Sequence, residues 1–220
     1  HYLRLTALLM LIWLILRTLK YEFVTDTTAA RYIWYLYYLP MLFIPLLSVY
    51  IALSLGRYDN RLTGKSVALA IIPTILFAVV MTNDLHQQVF AFEGGSPEFS
   101  GKYSHRPMYF VCLGWMIACM AFSLVRLLKK SRVTGGKKRI VPFIMGCVTV
   151  LYGVLYLSGI PAVRWWLGDM NVMFCLLYAS IYESCIRGRM IQSHTGYIEL
   201  LEATTLAAGI ADNDGNIVLR

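Results

Sequence analysis

The stretch Tyr32-Ile33-Trp34-Tyr35-Leu36-Tyr37-Tyr38-Leu39-Pro40-Met41-Leu42-Phe43-Ile44-Pro45-Leu46-Leu47-Ser48-Val49-Tyr50-Ile51-Ala52-Leu53-Ser54-Leu55 decides the fold. It carries no charged side chain, and from Met41 to Ile51 it is almost unbroken apolar sequence. A barrel strand would alternate apolar and polar residues over about ten positions, and this stretch does not. A bilayer core of about 30 Å takes roughly 20 apolar residues as a helix. Inside hydrocarbon the backbone must pair its N–H and C=O groups within the segment, which leaves the helix as the solution. Five further runs read the same way, so spans are expected over approximately 3–19, 32–55, 67–86, 108–128, 140–157 and 163–186, the first interrupted by Arg17. Pro40, Pro45 and Pro73 fall in or at the ends of the second and third spans, where a missing N–H is expected to kink the helix.

Composition agrees. Of 220 residues 58% are hydrophobic and 15% charged, against about 25% charged in soluble domains. Mean hydropathy is +0.60. Such a chain is neither disordered, nor collagen-like, nor an ordinary soluble enzyme. The five cysteines all lie in apolar runs with no CxxC pair, which excludes a disulfide framework and a zinc site as readings of their spacing. The first residue is His1, so a fragment is expected.

The net charge of +8 is explained by topology. Fourteen of the 20 Lys and Arg fall on one side: twelve in the 56–66 and 129–139 connections and after the last span, with Arg4 and Arg126 near the ends of the first and fourth spans. The remaining six, Arg17, Lys20, Arg31, Lys102, Arg106 and Arg164, share their side with six acids, Glu22, Asp26, Asp84, Glu93, Glu98 and Asp169. Positive residues favour the cytoplasmic face, which puts the C-terminus in the cytoplasm of a protein of the cytoplasmic membrane. No nucleic-acid partner is needed. Trp34, Tyr38 and their neighbours at the outer end of the second span, with Trp165 and Trp166, read as an interfacial aromatic belt or as a ligand cage.

The most unusual polar cluster is Thr82-Asn83-Asp84-Leu85-His86-Gln87-Gln88 at the outer end of the third span. Asn83 and His86 share a helix face. Ionisable groups at membrane depth mark function or a helix–helix bond. Two readings stay open: an outward pocket for a ligand, or an interfacial helix end tied to a neighbour. Asp169 and Asn171 at the outer end of the last span are set at a depth where they would face this cluster across the bundle. Glu183 and Ile186 lie at its inner end, Glu183 either bonding a neighbouring helix or snorkelling to the interface. The last span has no Lys for a Schiff base, and no HExxH or GxxxxGK motif is present. The chain reads as non-catalytic, without metal or cofactor.

After Ile186 the sequence turns polar. Residues 188–204 read as a cytoplasmic linker helix, and 205–220 as a hairpin around Asp214-Gly215 that opens a further domain. The run Arg31-Tyr32-Ile33-Trp34 through Pro45, the element Thr82-Asn83-Asp84-Leu85-His86-Gln87, the stretch Gly168-Asp169-Met170 to Ile186, and Ile191-Gln192-Ser193-His194-Thr195-Gly196-Tyr197 resemble the seven-helix N-terminal membrane region of bacterial sensor histidine kinases.

The resemblance implies an all-α integral membrane protein: a six-helix fragment of a seven-helix bundle over 1–187, followed by the linker and a truncated α/β PAS-like hairpin. It implies a sensory input module in a two-component system that senses a small-molecule, peptide or lipid signal. The module is expected to work as a homodimer and to act on a cytoplasmic response regulator through a kinase part beyond this chain. Asn83, Asp84, His86, Trp34, Tyr38, Asp169 and Asn171 would form the ligand site. Pro40, Pro45, Pro73, Glu183 and Ile186 would carry the signal. The competing readings are a small-solute transporter or channel, and a passive membrane anchor.

Overall fold

The computed structural model describes residues 2–54, 67–92, 103–130, 140–157, 165, 168–187, 210–211 and 217–219. The basic connections 55–66 and 131–139, the segment 158–164 and the expected linker over 188–204 lie outside the described residues.

Helix α1 runs Tyr2–Thr18 and continues as a π-turn, Leu19–Phe23, closed by Val24 N–H donating to the Leu19 carbonyl at 3.1 Å. The chain then reverses. Asp26 caps α2 (Thr27–Leu36) by accepting from Ala29 N–H at 2.8 Å, the side-chain solution for orphaned N–H groups at a helix start. Helix α3 (Tyr38–Ser54) follows after a break at Tyr37. Pro40 accounts for that break: it has no N–H for the Leu36 carbonyl, and its ring crowds that oxygen. Tyr37 N–H instead reaches back to Trp34 O at 3.2 Å. The helical run thus begins at Thr27, five residues before the expected span, because Asp26 supplies the cap. Pro45 lies inside α3.

The third expected span is not one helix. Helix α4 covers Ile71–Met81, and α5 is the single turn Asn83–His86. Pro73 sits in the first turn of α4, where its absent N–H has no intrahelical partner to lose, so it does not kink a helix interior. Gln87 ends α5 with φ 47°, its N–H bonded to Asn83 O at 2.7 Å. Strand β1 (Phe90–Phe92) then pairs antiparallel with β2 (Tyr103–His105), Phe90 opposite His105. This hairpin corrects the all-α expectation. Helices α6 (Pro107–Lys130), α7 (Val141–Leu157) and α8 (Met170–Arg187) complete the apolar part. Strands β3 (Ile210–Ala211) and β4 (Ile217–Leu219) pair antiparallel, as the Asp214-Gly215 signal implies.

Cross-helix contacts show the direction of each helix. The Tyr2 and Tyr50 rings meet at a tilt with centroids 5.8 Å apart, while Arg17 is bonded to Asp169 at 3.2 Å, so α1 is antiparallel to both α3 and α8. Trp115 donates to Leu42 O and Arg126 to Ala52 O, each at 3.2 Å, so α6 is parallel to α3. Tyr152 of α7 meets Phe174 of α8, and Met145 packs on the cluster of Ala52, Leu124, Ile181 and Cys185. The helices therefore alternate in direction, and Tyr2, Ser54, Lys130 and Arg187 share the end opposite the β1–β2 hairpin.

The segment Thr27–Ser54 is the axis of the fold, with most of its side chains buried, whereas Tyr2–Phe23 and Pro107–Lys129 are mostly exposed. By length and composition these three are able to cross a membrane; Ile71–Met81 and Val141–Tyr156 are shorter apolar helices. The exposed residues include Leu5, Leu8, Leu11 and Ile15 of α1 and Ile144, Val148, Leu151 and Val154 of α7, an apolar exterior that suits lipid. Hydroxyls within the helices are satisfied locally: Ser48, Ser123, Thr149 and Ser180 each donate to the carbonyl four residues back.

Helix α7 approaches α6 at Gly146, where an added Cβ would lie 2.5 Å from Leu124 Cδ1. Gly114 of α6 has nothing within 4 Å. Gly146→Val is expected to lower the unfolding temperature in detergent by several degrees, an overpacking cost of about 1–3 kcal/mol. Gly114→Ala should leave it unchanged or slightly raised. A thermal-shift comparison of the two checks this.

Candidate functional site

Polar side chains gather at the hairpin end of the bundle in two groups. The first is centred on Asn83, which is fully buried. Its Oδ1 accepts from Val89 N–H and Phe90 N–H, both at 3.0 Å, and its Nδ2 donates to Phe90 O at 3.0 Å and to the Tyr35 hydroxyl at 3.2 Å. Both ends of the amide are thus used, and Asn83 fastens β1 to the end of α4. The Tyr35 hydroxyl donates to Asp84 Oδ1 at 2.7 Å, and Arg31 Nη2 reaches Asp84 Oδ2 at 2.9 Å. Arg31 and Tyr35 are one turn apart on α2, so one helix face supplies both partners of Asp84.

Arg31 is 3% exposed, and its Nε and Nη1 have no hydrogen-bond partner. The rings of Tyr32 and Phe92 flank its guanidinium at 5.8 and 6.0 Å. His86 uses both ring nitrogens: Nε2 bonds Val79 O at 3.1 Å, and Nδ1 accepts from Gln88 N–H at 3.0 Å. Since a carbonyl only accepts, these partners define the Nε2–H tautomer. Trp34, Tyr38, Tyr103 and Tyr109 surround Phe90, Trp34 most closely with centroids 4.4 Å apart.

The second group joins α1, the α2–α3 break and α8. Asp169 Oδ1 caps α8 by accepting from Asn171 N–H at 2.9 Å and Val172 N–H at 3.2 Å, and its Oδ2 pairs with Arg17. Lys20 Nζ lies 5.7 Å from the Tyr37 ring centroid. Asn171 is 5% exposed. Asp169 therefore engages α1, while Asn83 and Asp84 engage α2 and the hairpin. The sequence reading sets Asp169 and Asn171 where they could face the Asn83–His86 cluster across the bundle; the structure gives Asp169 and Asp84 separate partners.

Towards the opposite end, the Tyr182 hydroxyl of α8 shares a buried 2.5 Å hydrogen bond with Ser48 of α3. Glu183, the acid singled out by the sequence, is bonded instead to Arg187 of its own helix at 2.6 Å on an exposed face. Ile186 is half-buried. Sequence reasoning takes Arg31 as a flanking charge and Tyr35 and Tyr37 as members of the aromatic cluster, and it does not pair Arg31 and Tyr35 with Asp84, although an arginine four residues before a tyrosine at a span's edge is a readable pair.

Among the described residues no group of three or more His, Cys, Asp or Glu is placed to hold a metal ion. An apolar exterior and apolar helices that alternate in direction define a multi-pass helical membrane protein. A family model described as the N-terminal 7TM region of histidine kinase matches residues 1–192, and the chain belongs to that family. No curated protein and no solved structure gives a match.

Removing one partner of a buried ion pair strands the other, at about 3–5 kcal/mol, whereas an apolar replacement of both is close to neutral. Asp84→Asn is therefore expected to destabilise the bundle strongly, and Arg31→Met combined with Asp84→Leu to recover most of the loss. Unfolding midpoints of the single and double variants measure this coupling.

Proposed function

We propose that the chain is the membrane-embedded input module of a sensor histidine kinase, carrying a signal from the hairpin end through α8 to an output domain. Family membership over residues 1–192 supports the module. The observation that carries the route is that α8 is tied to the bundle by polar contacts at two depths, Arg17–Asp169 and Ser48–Tyr182. Such ties are discrete, so two arrangements of α8 differ by the making or breaking of a few bonds, and a signal shifts their ratio by its differential affinity.

On this reading the chain crosses the cytoplasmic membrane six times, with the hairpin end outside and both termini inside. Asn83, Asp84, His86, Trp34 and Tyr38 shape the outer end; Asp169 and Asn171 read the signal at the head of α8. Pro40 and Pro45 allow α2 and α3 to tilt. Pro73, placed at the start of α4, sets where that helix begins. Ile186 hands the motion to the 188–204 linker, a PAS-like domain follows, and the output reaches a response regulator in a homodimeric assembly.

The test is autophosphorylation of the full-length kinase in membranes. Loss of one hydrogen bond of about 1 kcal/mol shifts a two-state ratio about fivefold. Tyr182→Phe is expected to change basal output by that order while leaving expression intact. Replacing all spans by an unrelated anchor is expected to abolish regulation. Retained regulation in that chimera means a passive anchor, and solute uptake by proteoliposomes means a transporter.

A further inference from the structure

Three buried hydroxyls on three helices meet towards the end of the bundle opposite the hairpin. Tyr182 of α8 bonds Ser48 of α3 at 2.5 Å, and the Thr6 hydroxyl of α1 is its second side-chain partner. Thr6, Ser48 and Tyr182 are 1%, 5% and 8% exposed. Tyr182 belongs to an apolar cluster with Ile44, Ile51 and Tyr178. A hydroxyl in such surroundings bonds another protein group or strands its proton at a cost.

The protons can be followed one by one, since each hydroxyl carries a single one and accepts through two lone pairs. Thr6 donates to the Tyr2 carbonyl of its own helix at 3.0 Å. Ser48 Oγ lies 3.0 Å from the Ile44 carbonyl, and either oxygen of the Ser48–Tyr182 pair can be the donor. Two arrangements follow. In the first, Ser48 donates to Ile44 O, and Tyr182 donates to Ser48. In the second, Ser48 donates to Tyr182, and Tyr182 donates to Thr6. With the Thr6–Tyr2 bond common to both, each arrangement keeps three hydrogen bonds. The Ile44 carbonyl keeps its place in the α3 backbone ladder in either case. The first ties α8 to α3 alone, and the second ties it to α3 and α1 together. Two packings with the same number of bonds and no stranded group differ little in free energy, which is what a bistable element requires.

We propose that the Tyr182 hydroxyl is a two-position hydrogen-bond switch, its one proton passing between Ser48 on α3 and Thr6 on α1. Helix α8 thereby changes the neighbour it is tied to without leaving a buried donor unpaired. Thr6 acts as a positioning residue, the alternative seat for the Tyr182 proton. The signalling consequence of the switch rests on the input-module reading; the switch itself does not.

The test is a set of unfolding curves of the full-length protein in detergent. Thr6→Val leaves Ser48 to accept from Tyr182, and Ser48→Ala leaves Thr6, so each single variant keeps the Tyr182 proton bonded. The double variant strands it. Its unfolding constant is expected to rise about tenfold beyond the product of the two single effects. Adding Tyr182→Phe removes the stranded donor and is expected to abolish that excess, and the same recovery reads the point if the double variant itself fails to fold. Thr6→Ser, which keeps the hydroxyl, is expected to behave as the parent. Independent effects of Thr6→Val and Ser48→Ala, or an excess that survives Tyr182→Phe, overturn the proposal. Autophosphorylation in membranes is the second readout. Thr6→Val and Ser48→Ala are expected to shift basal output about fivefold in opposite directions, and to differ no longer once Tyr182→Phe is added. An excess in the unfolding constant with outputs that move together supports the switch and removes the signalling route.

Discussion

A peptide group in hydrocarbon has no water to bond, and every other feature of this chain follows from that constraint. It makes the apolar runs helical. It turns serine and threonine hydroxyls back onto their own helices, as at Ser48, Ser123 and Thr149. It also restricts irregular backbone to places where side chains complete the bonding. The α4–α5–β1 turn is such a place. The Asn83 amide there takes the roles that water would take at a soluble helix end, bonding Val89, Phe90 and Tyr35.

The same constraint concentrates charge. Arg31 and Asp84 are paired at 2.9 Å under aromatic cover, and Arg17 and Asp169 at 3.2 Å near the surface. Each pair joins elements distant in sequence: α2 to α5, and α1 to the head of α8. The long apolar faces of α1 and α7 carry little geometric information, since lipid accepts any of their rotations. The polar pairs and the Ser48–Tyr182 bond define how the helices are turned about their axes.

Much of this was legible in the sequence, for a physical reason. Apolar run length is a strong signal because the bilayer sets it, so Tyr2–Phe23, Thr27–Ser54 and Pro107–Lys130 lie close to their expected positions. The cluster at Asn83–His86 stood out as polar residues beside an apolar run. Partners were not legible, because pairing depends on helix rotation: Asp84 gave no hint of Arg31, nor Tyr182 of Ser48. The β1–β2 hairpin was missed because three-residue strands held by Asn83 have no period to detect. Glu183 drew attention as a charge, yet it bonds along its own helix while its neighbour Tyr182 makes the cross-helix contact.

The central claim is that the helices thread the bilayer alternately, with the hairpin outside and Tyr2 and Arg187 together on the inner face. Single cysteines introduced at Tyr2, Tyr103 and Arg187 in intact cells, labelled with a membrane-impermeant maleimide, test it most directly. The account predicts labelling at 103 alone until the cells are permeabilised. Labelling of 2 and 187 from opposite sides would contradict it.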